Sequence, residues 1–107
     1  MQNLLQETLA RLGRQHKTAK NVCWVGTIDG TEVLTFEEFA EMADFEYDNG
    51  FGAVEIRPDL VIVGDDWWLE RGEYDGSEWW SYKEKPTHSK NPKKLDRLKS
   101  TSEEQPL

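Results

Sequence analysis

The stretch that decides the fold spans residues 67–83 and reads WWLERGEYDGSEWWSYK. At its centre, Asp75 and Gly76 favour a two-residue type I′ turn, because both residue types tolerate the positive φ that this turn requires. Such a turn pairs Tyr74 with Ser77 and fixes the register of the two flanking segments. We therefore predict an antiparallel hairpin here, and we expect the rest of the sheet to be built beside it.

Side chains alternate between two faces along such a hairpin. The first face receives Trp67, Leu69, Arg71, Trp80 and Tyr82. The second face receives Trp68, Glu70, Trp79 and Lys83. Because each face carries two tryptophans, we expect one to pack on helices and the other to lie partly in solvent. A one-residue bulge would exchange the faces of one strand, so the register remains open at this point.

Outside the hairpin, the hydrophobic pattern predicts helices over residues 3–15 and 36–44. Apolar runs predict strands over residues 21–28, 31–34, 53–56 and 60–63, with Asp29 and Gly30 as a type I′ turn between the first two. Thr35 and Glu38 have the spacing of a helix capping box.

These elements indicate an α+β fold. We expect a small antiparallel sheet of about four to six strands, ending in the Trp-rich hairpin and packed with two helices. A length of 107 residues corresponds to one domain. Apolar periodicity stops near Pro86, so we assign residues 1–86 to a single domain and residues 87–107 to a mobile, polar and basic C-terminal tail.

Charge is segregated along the chain. Its 21 acidic and 13 basic residues give a net charge of −8, but residues 29–78 alone hold sixteen acids and two bases. This pattern fits either a solvated acidic surface or a face that meets a basic partner, and it disfavours binding of nucleic acid over the whole surface. No apolar stretch is long enough for a membrane helix, and no secretory signal is visible, so we expect a cytoplasmic protein.

Catalytic motifs are weak. Cys23 lies within a predicted strand and is expected to be a small core residue, while His16 and His88 have no motif around them. Asp65 and Asp66 resemble half of a metal-binding carboxylate pair, although adjacent acids are common in turns. We expect no cofactor and no metal, and we regard a small metal-dependent hydrolase as the least favoured function.

The segments at residues 47–52 and 59–80 resemble a signature of small proteins carried by phages and prophages of Gram-positive bacteria. The resemblance covers roughly residues 45–86. It implies a small α+β accessory protein that acts inside the bacterial cell, and it carries over no catalytic residue.

The leading hypothesis is a non-enzymatic interaction protein whose acidic surface binds a basic host or phage protein, in an anti-defence or host-takeover role. The candidate interaction residues are Trp67, Trp68, Glu70, Arg71, Glu73, Tyr74, Trp79 and Trp80 of the hairpin, with Glu37, Glu41 and Asp44 of the second helix. One alternative is a nucleic-acid accessory protein that uses the basic tail and stacks Trp68 or Trp79 on bases. Another is a homodimer joined by the hairpin or the first helix.

Overall fold

The computed structural model describes residues 1–50 and 52–100. Within these residues there are two α-helices, a short 3₁₀ helix at Ala19–Asn21 and seven strands. The helices are α1 (Leu4–Arg14) and α2 (Phe36–Ala43). The strands are β1 (Gln2–Asn3), β2 (Trp24–Thr27), β3 (Val33–Leu34), β4 (Glu46–Tyr47), β5 (Leu60–Val63), β6 (Trp67–Tyr74) and β7 (Ser77–Glu84). The predicted α+β class is confirmed.

The main sheet has five antiparallel strands in the order β3-β2-β5-β6-β7, while β1 and β4 form a separate pair. The hairpin register is confirmed, since Tyr74 lies opposite Ser77 and Arg71 lies opposite Trp80 without a bulge. Asp75 and Gly76 have φ angles of 50° and 86°, as a type I′ turn needs. This hairpin therefore forms one side of the sheet and leaves β7 at its edge.

Both helices pack on one face of the sheet. The core combines Leu4 and Leu12 of α1, and Phe39 and Ala43 of α2, with the inward-facing side chains of the strands. Those strand residues are Val25, Ile62, Trp67, Leu69 and Trp80. The indole of Trp80 donates to the buried Thr8 hydroxyl at 2.9 Å, so this core ring also satisfies its polar atom.

Helix boundaries follow local capping chemistry. The Thr35 hydroxyl accepts from the Glu38 N–H, and the Glu38 carboxylate accepts from the Thr35 N–H, so the predicted capping box is confirmed. Helix α1 has Asn3 as its N-cap and ends in a Schellman motif. His16 takes the left-handed position of that motif, with φ 59°, where glycine is usual.

The predicted type I′ turn at Asp29 and Gly30 is wrong. Only Gly30 has a positive φ there, and the connection runs from Ile28 to Glu32. The Gly30 N–H donates to the Thr27 carbonyl at 2.8 Å, and the Asp29 carboxylate accepts from the N–H and hydroxyl of Thr31, so a longer loop replaces the two-residue turn. As a result β2 and β3 are shorter than predicted.

Residues 53–56 do not form the predicted strand. Instead, the N–H groups of Glu55 and Ile56 donate to the Glu78 carboxylate, at 2.8 and 3.3 Å. A side chain thus takes the place of a strand partner for this segment. No helix or strand is found over residues 85–100, and residues 101–107 of the predicted tail lie outside the described residues.

Cys23 is not a core residue. It precedes β2, is exposed, and its thiol donates to the Asp65 carboxylate at 3.4 Å. That hydrogen bond, with some desolvation, raises the pKa of the Cys23 thiol and disfavours the reactive thiolate. The prediction fails because β2 begins only at Trp24, so Cys23 lies outside the strand and its thiol is exposed.

Candidate binding surfaces

The hairpin divides its tryptophans between two environments. Trp67 and Trp80 are buried against the helices, whereas Trp68 is half-buried and Trp79 is 40 % exposed. The predicted division of faces is therefore confirmed. Among the candidate interaction residues, Trp67 and Trp80 are not accessible to a partner.

The opposite side of the sheet has neither helix packed on it, and we call it the uncovered face. Strand alternation places on it Trp24, Val61, Val63, Trp68, Glu70, Tyr74, Trp79 and Lys83. A shallow cavity of about 230 Å³ lies on this face, with Trp24, Val63 and Trp68 in its wall. Aromatic side chains of this kind dominate the energy of many protein interfaces.

Two indole rings on the uncovered face are held by neighbours on their own strands. The Nε1 of Trp68 donates to Glu70 at 2.7 Å, and the Nε1 of Trp79 donates to Ser81 at 3.1 Å. A Cβ on Gly72 would lie only 2.6 Å from Trp79 Nε1, so this ring rests on the glycine of the neighbouring strand. Both rings are thus held against the sheet before any partner binds, which reduces the entropy cost of association.

Arg71 lies in the interior rather than on the surface. Its side chain is 3 % exposed, and its Nη2 donates to Glu78 at 3.1 Å and to the Tyr47 hydroxyl at 3.0 Å. The guanidinium also lies over the Trp80 ring, at 4.6 Å from the ring centroid. The ion pair and the ring contact compensate part of the cost of burying this charge, while Nε and Nη1 have no hydrogen-bond partner among the described residues. Burial also makes Arg71 unavailable to a partner.

Glu7 completes this buried network. Its carboxylate accepts from the Tyr47 hydroxyl at 2.5 Å and lies 3.7 Å from Arg71 Nη1. Burial, together with the hydrogen bond to Glu7, raises the pKa of Tyr47 to about 12. The network joins α1, β4, β6 and β7, and it is a structural support at the margin of the core, where the Glu7 side chain is 14 % exposed.

The acidic candidates do not converge. Glu37, Glu41 and Asp44 belong to α2, which lies on the helical side of the sheet, and all three are exposed. Glu70 lies on the uncovered face, and Glu73 is exposed near the tip of the hairpin. The five acids therefore occupy different sides of the domain, and Glu70 alone shares a surface with the tryptophans.

Metal-binding residues do not gather in the described part of the chain. Within residues 1–50 and 52–100, no group of three or more histidine, cysteine or acidic side chains is placed to hold an ion. Asp65 and Asp66 are exposed in the bend between β5 and β6, where Asp65 accepts from the Cys23 thiol and the charge of Asp66 acts on Tyr82.

Sequence reasoning missed three features: the buried pair of Arg71 with Glu78, the role of Tyr47, and the position of Arg11 and Arg14 of α1 beside strand β7. One signal was present, because the predicted register already placed Arg71 and the buried Trp80 side by side. The residues that surround this pair come from α1, β4 and the loop at Glu55, and pairing between such distant segments leaves no local pattern.

Comparisons with known proteins return no match: no family model, no curated protein and no solved structure matches the chain. Within the described residues, no helix is both long and apolar enough to cross a membrane.

Proposed function

We propose that this chain is a non-enzymatic binding protein whose uncovered face receives a basic segment with apolar side chains from a protein partner. The observation that carries the proposal is the pair of pre-positioned indoles, Trp68 and Trp79, on a sheet face that neither helix covers. Rings held in place in this way can bury apolar groups of a partner at low entropic cost.

Charge supports a basic partner. Glu70 lies among the aromatic rings and lines the cavity on this face. Lysine or arginine of a partner would meet this carboxylate while its apolar side chains meet the indoles. The phage accessory role is part of this proposal, and its support is the sequence resemblance alone.

The test uses a synthetic peptide in which arginine alternates with leucine. Binding is followed by tryptophan fluorescence and by calorimetry at low and at physiological salt. We expect Glu70→Gln to weaken binding about threefold, as loss of a partly exposed ion pair should, and Trp79→Ala to weaken it about tenfold or more.

Glu41→Gln is the matched control, because it removes the same charge from the helical side of the domain. Equal losses for Glu41→Gln and Glu70→Gln would contradict the proposal, since they would indicate attraction by net charge alone. Tight binding of a single-stranded oligonucleotide, with no binding of the peptide, would contradict it as well.

Self-association through the same face is a second candidate. One acid and one base, Glu70 and Lys83, lie among the aromatic residues of this face. In a symmetric dimer, Glu70 of each copy could pair with Lys83 of the other, and this favours self-association. Sedimentation equilibrium tests this candidate: a dimer that Trp79→Ala dissociates supports it, and a monomer at all concentrations removes it.

A further inference from the structure

Strand β7 forms the edge of the main sheet, since its one neighbour is β6. In an antiparallel pair, alternate residues direct both main-chain groups toward the partner strand, and the residues between them direct both groups away. The N–H of Glu78 bonds to the Asn49 carbonyl outside the sheet, which shows that Glu78 belongs to the outward set. Trp80, Tyr82 and Glu84 therefore also point outward.

Only the first part of this edge is covered. The Asn49 carbonyl occupies the edge at Glu78, and Arg11 Nε donates to the Trp80 carbonyl at 3.3 Å. Beyond Trp80, the outward main-chain groups of Tyr82 and Glu84 have no strand beside them within the described residues. An exposed edge of this kind is a template for pairing with another extended chain.

A groove runs between α1 and this open edge, and we call it the α1–β7 groove. Its cavity has a volume of about 520 Å³ and is lined by Arg11 and Arg14 of α1 and by residues 79–83 of β7. The two arginines lie close enough that, after desolvation, the charge of Arg14 contributes to lowering the pKa of Arg11. The groove is thus bounded by a helix on one side and a strand edge on the other.

The groove is positively charged within an acidic protein. Arg11, Arg14 and Lys83 line it, and none of the three forms an ion pair within residues 1–50 and 52–100. Arg11 is engaged with the Gln15 side chain and the Trp80 carbonyl, both uncharged. The charge of the groove is therefore available to a ligand.

We propose that the α1–β7 groove binds an acidic, extended segment of a partner chain, which adds to the sheet as a sixth strand beside Tyr82 and Glu84. Main-chain hydrogen bonds to the edge would provide affinity, and carboxylates facing Arg11, Arg14 and Lys83 would provide selectivity. The groove meets the uncovered face at Trp79 and Lys83, but its arginines belong to α1, and it takes a ligand of opposite charge. It is therefore a second binding site, distinct from the cavity at Trp68.

A peptide fits these features better than a nucleic acid. The edge offers alternating main-chain donors and acceptors, which match an extended peptide backbone and have no counterpart in a phosphate chain. The net charge of −8 also repels a polyanion, whereas a short segment with two or three carboxylates meets mainly the local cations.

The probe is a fluorescein-labelled peptide of alternating glutamate and valine, five residues long, with blocked ends. A lysine–valine peptide of the same length and an oligothymidylate are the comparison ligands. Fluorescence anisotropy with the full chain is expected to detect the acidic peptide, to give weaker binding at high salt, and to detect no binding of the oligothymidylate. Binding of the lysine–valine peptide belongs to the uncovered face, so the groove variants described next should leave it unchanged.

The decisive variants are Glu84→Pro and Glu84→Ala. Both remove the carboxylate and its hydrogen bond with Tyr82, but only proline removes the outward N–H, and the sheet pairing with β6 does not use that N–H. We expect Glu84→Ala to bind the acidic peptide at least as well as the unmodified chain. Glu84→Pro should bind it about tenfold more weakly than Glu84→Ala.

Arg14→Gln provides a second measurement that leaves the sheet untouched, because Arg14 is exposed on α1. It is expected to weaken peptide binding about threefold. Equal binding by the proline and alanine variants would overturn strand addition. Binding of the oligothymidylate in place of the peptide, with the same loss on Arg14→Gln, would assign the groove to nucleic acid and also overturn the proposal.

Discussion

Replacement of the buried Glu78 should destabilise the fold more than replacement of any exposed acid. Glu78 is fully buried, pairs with Arg71 Nη2, and accepts the N–H groups of Glu55 and Ile56. Glu78→Gln keeps the size of the side chain but removes its charge and turns one acceptor oxygen into a donor. That NH₂ group would face either Arg71 or the main-chain N–H groups, and neither can accept a hydrogen bond.

The magnitude follows from these contacts. A hydrogen bond to a charged group contributes about 1.5–3 kcal/mol, and a buried donor left without a partner costs about 1–3 kcal/mol. Breaking one side of a buried ion pair typically costs about 3–5 kcal/mol, because the remaining charge is no longer compensated. Here Glu7 remains near Arg71 and lessens the loss. We therefore expect the free energy of unfolding to fall by about 3 kcal/mol.

Urea denaturation followed by tryptophan fluorescence measures this loss, because Trp67 and Trp80 lie in the core. Glu73→Gln is the control, since Glu73 lies directly opposite Glu78 in the hairpin but is exposed. It should change the unfolding free energy by less than about 0.5 kcal/mol. A loss below about 1 kcal/mol for Glu78→Gln, or equal losses for the two variants, would refute the reasoning.

Three further predictions concern local features. The pKa of Tyr47 in the folded protein, about 12, lies above its ordinary value, so the free energy of unfolding should fall as pH rises from about 10 to 12. Urea denaturation midpoints across that range measure this fall, and Tyr47→Phe should reduce it. Thr35→Ala should lower the free energy of unfolding by about 1 kcal/mol, because it removes the capping box. Thr35→Ser should retain most of this stability, and thermal melts measure both variants. Gly13→Ala should raise the melting temperature, because the added methyl meets nothing within 4 Å and alanine favours helix α1 by about 0.5–1 kcal/mol. The last two predictions fail if serine is as damaging as alanine at position 35, or if Gly13→Ala lowers the melting temperature.

The candidate site was predictable where it depended on alternation. Once Asp75 and Gly76 set the register, the placement of Trp68 and Trp79 opposite Trp67 and Trp80 followed from the two-residue period of a strand. The same reasoning could not place Glu37 relative to Glu70, because the side of the sheet on which α2 packs depends on the connections between elements. The expected acidic face was therefore a hypothesis about tertiary structure that composition could not decide.

The sequence by itself determined four local features: the hairpin, its turn, the capping box of α2 and the amphipathic helix α1. Each of them depends on residues within a few positions of one another. Tertiary structure alone decided that Arg71 is buried, because its partners Glu7 and Tyr47 are distant in sequence and become neighbours only after the sheet and helices pack. It also decided that residues 53–56 bond to a carboxylate instead of a strand, and that Arg11 and Arg14 lie beside an open sheet edge. The sequence does not show whether a charged side chain is exposed to water or buried in the core, because packing between distant segments determines its environment.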